Sequence, residues 1–171
     1  MKFAFVSGNL ALDLAGTLKW RRDSPEELLA TPDDLADWTV AAGVLTNRPD
    51  VTATDLTAML DLREAVYRLV TTTAHPGDLD LLNTHAAGPA PTVCVTENSV
   101  TRKGSVASVG WAVAWALADL RTERPTVREC QRPECTRIFV DRSRTANRRW
   151  CGMQECGNRF KAAAYRARKV N

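Results

Sequence analysis

Apolar residues in the first two-thirds of the chain recur mostly at helical spacing. Ser24-Pro25-Glu26-Glu27 and Thr31-Pro32-Asp33-Asp34 each place a capping hydroxyl before proline and acidic residues, the usual order at a helix N-terminus. Thr54 to Thr73 is predicted to form a longer helix, because its apolar residues fall mainly on one stripe. Asp78 to Ala86 predicts a further short helix, which the prolines and glycine that follow end.

The pattern changes after residue 90. Thr92–Thr96 and Ser99–Arg102 are short β-prone runs joined by Glu97-Asn98, and this order predicts a β-hairpin. Cys94 lies within the apolar part of the first run, so we expect a buried, inert thiol. Ser105 to Leu120 then predicts an apolar helix that is buried on most sides.

Two tryptophans, Trp111 and Trp115, stand one turn apart on this apolar helix. Aromatic residues at helical spacing usually fill the interior of a domain, so core packing is the favoured interpretation. Lining of a ligand pocket is the alternative.

The composition is that of an ordinary globular protein. The chain has 171 residues, of which 44% are hydrophobic and 25% charged. The apolar stretch at the N-terminus is soon broken by Gly8, Asn9 and Asp13, which argues against a secretory signal. The longest apolar run, Val106 to Ala118, is shorter than the about 20 residues that span a bilayer. We therefore expect a cytoplasmic protein without a membrane partner.

Charge divides the chain into two regions. Residues 1–120 hold 9 Lys/Arg and 15 Asp/Glu, a net charge of −6, whereas residues 121–171 hold 14 and 5, a net charge of +9. Such asymmetry indicates two modules with different partners, the basic one facing an anion. The sequence therefore predicts an acidic, mostly helical domain over residues 1–120 and a basic domain over residues 121–171.

Four of the five cysteines lie in the basic region. Cys130 and Cys135 form one C-x4-C pair, and Cys151 and Cys156 form another after fifteen residues. Two paired-thiol turns supply the four thiolates of a structural Zn²⁺ site. Two disulfides are the alternative, but the reducing cytosol makes them the weaker interpretation. We predict one structural zinc ion.

The residues around these cysteines predict a small zinc finger. Ile138–Val140 and Arg148–Trp150 are expected to be the two strands of a hairpin, and Phe160 to Lys169 a helix. Asn158 is a good cap for that helix, although a base contact is an equal alternative. The predicted fold is mainly α with a small β-hairpin: an N-terminal helical domain followed by a treble-clef-like or ribbon-like four-cysteine zinc finger.

Basic side chains cover much of the predicted finger. A phosphate backbone is the complementary surface, and arginine suits bidentate contacts with phosphate and guanine. A solvated basic face is the alternative. The predicted nucleic-acid-binding residues are Arg142, Arg144, Arg148, Arg149, Asn158, Arg159, Lys161, Arg166, Arg168 and Lys169.

The basic region resembles the CGNR zinc finger from about Cys130 to Lys169. The resemblance is carried by the four cysteines, the Asp-Arg-Ser-Arg turn at residues 141–144, the Arg-Trp-Cys sequence that ends at Cys151 and the Cys-Gly-Asn-Arg signature that begins at Cys156. It implies four zinc-binding cysteines and a DNA-binding function.

The first 120 residues resemble, more loosely, the ABATE domain that precedes this finger in bacterial proteins. The matching pieces are Leu10-Ala-Leu-Asp13-Leu, Leu35-Ala-x-Trp38 with Gly43, and Leu62-Arg63-Glu64-Ala65. The resemblance implies a stress-linked transcription regulator.

Enzymatic activity is not expected. Four thiolates close the zinc shell, and the sequence has no phosphate-binding loop, G-x-S-x-G or H-E-x-x-H motif. We therefore expect a transcription regulator whose finger binds DNA. The acidic domain would sense a small molecule near Trp111 and Trp115 or mediate dimerisation, since one finger has a small footprint. The alternative is an RNA-binding or protein-interaction module with a purely structural finger.

Overall fold

The computed structural model describes residues 2–71 and 74–170 and, within them, all side chains except those of residues 155, 163, 164 and 167–170. About 46% of the chain is helical, which confirms the mainly α class. The helices are α1 (Leu10–Ala15), α2 (Pro32–Ala41), α3 (Ala53–Thr71), α4 (Asp78–Ala86), α5 (Val106–Glu123) and α6 (Asn158–Val170). The strands are β1 (Leu18–Lys19), β2 (Glu26–Glu27), β3 (Thr92–Val95), β4 (Val100–Lys103), β5 (Val127–Glu129) and β6 (Ile138–Val140).

The start of α2 follows its sequence signal closely. Thr31 Oγ1 accepts from the N–H of Asp34 at 3.2 Å, and Asp34 Oδ2 accepts from the N–H of Thr31 at 3.0 Å. This reciprocal pair satisfies two backbone donors that a helix N-terminus leaves free. The helix ends before Gly43, whose φ of +71° is a conformation that favours glycine.

The helix expected at Ser24-Pro25 is wrong. Glu26 and Glu27 instead form β2, which pairs antiparallel with β1. Glu26 contacts Lys19 at 3.0 Å, and Glu27 contacts the buried Arg63 at 2.7 Å. These distant partners fix the acidic residues in an extended segment, so the local capping signal does not decide the structure.

The β3–β4 hairpin forms as predicted, but Cys94 is exposed rather than buried. All four residues of β3 are exposed because the helices do not cover this hairpin. The apolar stretch around Cys94 therefore lies on the surface.

The main core lies between the first five helices. The short α1 packs against α3 and α5, and the largest fully buried side chain is Trp38 of α2. The core does not end at residue 120, because Ile138 and Val140 of β6 belong to the same buried cluster. The finger therefore contributes a strand to the packing of the helical region.

Candidate metal centre and nucleic-acid interface

The four cysteines of the basic region converge on one buried point. The Sγ atoms of Cys130, Cys135, Cys151 and Cys156 all lie within 4.8 Å of one another. The Sγ of Cys151 is 3.9 Å from that of Cys135 and 3.6 Å from that of Cys156. Four sulfurs at a Zn–S distance of about 2.3 Å would be about 3.8 Å apart at the corners of a tetrahedron. The cluster thus fits one structural zinc ion, as predicted.

Two different segments deliver the thiols. Cys130 and Cys135 lie in the loop between β5 and β6, where the N–H of Cys130 donates to the carbonyl of Arg137 at 2.9 Å. The expected second strand over Arg148–Trp150 is wrong, because β5 (Val127–Glu129) occupies the position beside β6. The first metal turn is therefore the hairpin loop itself.

The second segment enters α6 through a π-helical turn over Met153–Gly157. A Cβ at Gly157 would lie 2.5 Å from Sδ of Met153 and 3.3 Å from Cδ1 of Trp150, so the glycine permits this close approach. Asn158 was expected to cap the helix, but it does not, because it follows the π-helical turn with helical backbone angles. The amide of Asn158 is exposed.

The thiols cannot all ionise without a cation between them. Hydrogen bonds from Cys135, Cys151 and Cys156 hold the pKa of Cys130 below its usual range. The neighbouring sulfurs, Cys130 foremost, raise the pKa of Cys151. A bound Zn²⁺ supplies the charge that lets all four act as thiolates, and it leaves a net charge of about −2 on the centre.

A buried arginine lies against this centre. The Nη1 of Arg137 is 3.9 Å from Sγ of Cys151, and only 7% of the residue is exposed. Its positive charge offsets part of the charge of the zinc–thiolate group. The charge of Arg137 also lowers the pKa of Asp13 in α1, although burial of that carboxyl dominates and raises the pKa overall. Arg137 was not among the residues predicted for this site. Its position between Cys135 and the apolar run Ile138–Val140 was the feature of the sequence that could have indicated it.

Arg148 serves the structure of the finger. Its guanidinium donates to the carbonyls of Trp150 at 2.8 Å, of Val6 at 3.1 Å and of Cys151. It also lies 4.4 Å from the ring centroid of Phe139. These contacts tie the second metal turn to the N-terminal segment, so the side chain is committed within the protein.

The other predicted nucleic-acid-binding residues are mostly exposed. Arg149 donates to Oε1 of Gln131 at 2.7 Å and lies over the ring of Trp150. The side chains of Arg168 and Lys169 lie outside the described residues. Within the described part of the chain, no ion pair is formed by Arg142, Arg144, Arg159, Lys161 or Arg166.

A groove of about 500 Å³ runs between the first metal turn and α6. Arg132, Arg159 and Arg166 line it, together with the exposed ring of Phe160. Arg132 is paired with Glu134 at 2.8 Å, whereas the other two arginines have no acidic partner among the described residues. The groove is therefore suited to a polyanion.

The two tryptophans of α5 were expected to pack in the core, but neither belongs to a buried cluster, and Trp111 is only partly buried. Their ring centroids are 5.3 Å apart, and Trp115 is 48% exposed while its Nε1 donates to the carbonyl of Ala86. A separate cavity of about 90 Å³ lies where Trp20 meets the finger. A pocket at Trp111 and Trp115 stays a prediction.

Fold and site together define a helical domain with a four-cysteine zinc finger at its C-terminus. Residues 8–124 match the ABATE family, described as "putative stress-induced transcription regulator", and residues 126–169 match the CGNR zinc finger. The chain belongs to the ABATE family and carries a CGNR zinc finger, as the sequence resemblance implied. Neither description is that of an enzyme.

No curated protein matches this sequence. Within residues 2–71 and 74–170, no helix combines the length and hydropathy that a bilayer crossing requires.

Proposed function

We propose that the protein is a DNA-binding transcription regulator whose zinc finger contacts the phosphate backbone through the groove beside α6. The observation that carries this proposal is the pair Arg159 and Arg166, which line the groove, are exposed and lack acidic partners among the described residues. They lie seven residues apart, so they fall on the same flank of α6. Guanidinium groups arranged in this way bind phosphate oxygens in bidentate fashion.

Charge elsewhere in the finger supports the same surface. The carboxylate of Asp141 is turned inward, where it accepts from Ser143, Arg128 and the N–H of Arg148. It therefore contributes little negative potential at the surface. Exposed Arg142, Arg144 and Arg149 extend the positive charge beyond the groove.

RNA binding is the alternative function. Exposed aromatic rings alternate with the basic residues of α6: Phe160 is 41% exposed and Tyr165 is 56% exposed. Such rings can stack on unpaired bases. Competition distinguishes the two functions: structured RNA and unlabelled duplex DNA are each added to the complex with a labelled duplex. An RNA-binding finger would release the labelled duplex at lower concentrations of RNA than of DNA.

The test of DNA binding is fluorescence anisotropy with a mixed-sequence duplex, titrated with salt, for the zinc-loaded chain. Arg159→Gln/Arg166→Gln should weaken binding and reduce the slope of log K against log salt by up to about 1.8, the loss of two phosphate contacts. Arg102→Gln/Arg121→Gln removes the same charge from exposed positions in β4 and α5, outside residues 126–169 that match the zinc finger, and should leave the slope unchanged. No binding by the wild type at low salt, or equal effects of the two variants, would refute the proposal.

We further propose that the helical region responds to a small effector. The cavity beside Trp20 is bounded by Lys19, Arg132, Arg137 and Arg159, so it joins that region to the base of the finger. Its volume of about 90 Å³ is well below the 300–1,000 Å³ of drug-sized sites and limits the effector to a small ion or molecule. In a thermal-shift screen of small carboxylates and oxyanions, a compound that binds here should raise the melting temperature of the wild type more than that of Arg159→Gln. Equal shifts for the two proteins, or no shift with any compound, would refute this response.

A further inference from the structure

The β3–β4 hairpin presents an unusual apolar surface. Val93 is 56% exposed, Val95 71% and Val100 46%. The strand register places all three on one face, because Val95 is opposite Val100 and Val93 is opposite Arg102. Isolated two-stranded hairpins are marginally stable, and exposed apolar edges favour pairing with another strand.

The two edges of this hairpin differ. Thr46 covers the edge of β4: its N–H donates to the carbonyl of Arg102 at 2.9 Å, and its Oγ1 accepts from the N–H of Arg102 at 2.7 Å. Because Arg102 is opposite Val93, the backbone groups of Val93 also point away from the hairpin, and those of Val95 follow by alternation. Among residues 2–71 and 74–170, nothing bonds to this outer edge of β3.

The sequence of the open edge is symmetric. Thr92-Val93-Cys94-Val95-Thr96 reads the same in both directions and carries no charge. The lysine or inward charge that commonly protects an edge strand is absent from these five residues. A strand with such symmetry presents the same side chains to an antiparallel copy of itself, without repulsion between like charges.

We propose that β3 is a dimerisation edge, on which a second copy of this chain adds its own β3 antiparallel to form a continuous four-stranded sheet. Val93 then exchanges backbone hydrogen bonds with the partner's Val95. Cys94 lies on the two-fold axis, opposite the partner's Cys94. The dimer presents two fingers, so the inference deepens the proposed DNA binding, but the pairing itself does not depend on DNA.

The register defines a chemical test of the pairing. Directly opposed residues of a non-hydrogen-bonded antiparallel pair have Cα atoms about 4.5 Å apart, within the range that a disulfide can bridge. Copper–phenanthroline, as the oxidant, should convert two Cys94 thiols of a dimer into one disulfide, which non-reducing electrophoresis detects. Reduction with dithiothreitol should restore the monomer band.

Matched cysteine variants separate this register from random collision. C94S retains the four zinc-binding cysteines and should not crosslink. C94S/V95C moves the thiol to the other face and away from the two-fold axis, beyond the about 7 Å limit for a disulfide, so it should crosslink much less than the wild type. Equal crosslinking of the wild type and C94S/V95C would overturn the proposed register.

Charge variants test the same pairing without oxidation. V93K/V95K opposes lysine with lysine at two positions and should weaken dimerisation by about two- to thirtyfold, since each like-charged pair disfavours pairing. V93E/V95K opposes glutamate with lysine at the same positions and should dimerise measurably more tightly than V93K/V95K. Sedimentation equilibrium of the zinc-loaded chain across the micromolar range provides the readout.

A five-residue edge covers much less than the about 800 Å² per partner of a standard interface, so we expect a dimer that forms in the micromolar range or above. Wild-type protein that stays monomeric throughout the titration refutes the proposal, whether or not it binds DNA. A dimer that is indifferent to both charge variants refutes it equally, because that dimer uses another surface.

Discussion

Replacement of Ile138 by alanine tests whether the finger and the helical region share one core. Ile138 is 3% exposed and packs in the same cluster as the helices, although it lies only three residues from the metal ligand Cys135. The change removes three carbon atoms, worth about 2.4 kcal/mol of transfer free energy, and leaves a cavity. We expect the free energy of unfolding to fall by about 2–5 kcal/mol.

The assay is urea denaturation with two probes on one sample. Circular dichroism in the far ultraviolet follows mainly the helices, and a chromophoric chelator reports the release of zinc. With a denaturant slope of about 2 kcal/mol per molar, the midpoint should move by roughly 1–2.5 M. Both probes should move together, because β6 belongs to both structures.

Leu79→Ala is the matched control, since it also truncates an aliphatic side chain, but one that is 50% exposed. We expect its effect to stay within about 0.5 kcal/mol. A variant at Ile138 that shifted zinc release and left the helical transition unchanged would refute the reasoning, because the finger would then unfold as a separate unit.

Two further predictions concern arginine contacts. Arg148→Ala should lower the unfolding free energy by about 2 kcal/mol or more and speed zinc loss to a chelator, because backbone carbonyls lose their donor. Arg148→Lys should not rescue it, and Arg149→Ala should have little effect; equal zinc loss from all three variants would contradict this. The pKa of Asp78 is held at about 2, chiefly by hydrogen bonds from Arg68, against an ordinary value of 3.8. Its stabilising contribution is therefore present above pH 3.8 and lost as the pH falls towards 2. Urea titrations from about pH 2 to about pH 6 should show a smaller acid-induced loss for Asp78→Asn than for the wild type, and identical curves would count against it.

Features that depend on neighbouring residues along the chain were accessible from the sequence. The capping box of α2 needs only Thr31 and Asp34, which are three residues apart. The zinc ligands needed only two short C-x4-C spacings and the expectation of a reducing environment. The β3–β4 hairpin needed two β-prone runs and a short turn.

Features decided by distant partners were missed. Glu27 lies in a strand because Arg63, 36 residues away, binds it. The sequence predicts that Arg148 contacts phosphate, but its guanidinium donates to the carbonyl of Val6, 142 residues away, and so has a structural role. Composition identifies a basic residue, but only the fold distinguishes an arginine that faces solvent from one that holds two segments together.

Contacts between distant segments also link the metal centre to the helical region. The division of the chain at residue 120 stays a prediction, but hydrogen bonds cross it: the N–H of Val140 donates to the carbonyl of Ser7 at 2.8 Å, and the N–H of Arg21 donates to Oγ1 of Thr136 at 3.2 Å. Structural zinc contributes about 10–16 kcal/mol in small fingers, as much as the whole stability of many domains. Because zinc would fix the loop from which β6 emerges, we expect its removal to weaken the packing of Ile138 and Val140 in the helical core. We therefore predict that zinc stabilises the helical region as well as the finger, so that a chelator should lower the midpoint of the helical transition in urea.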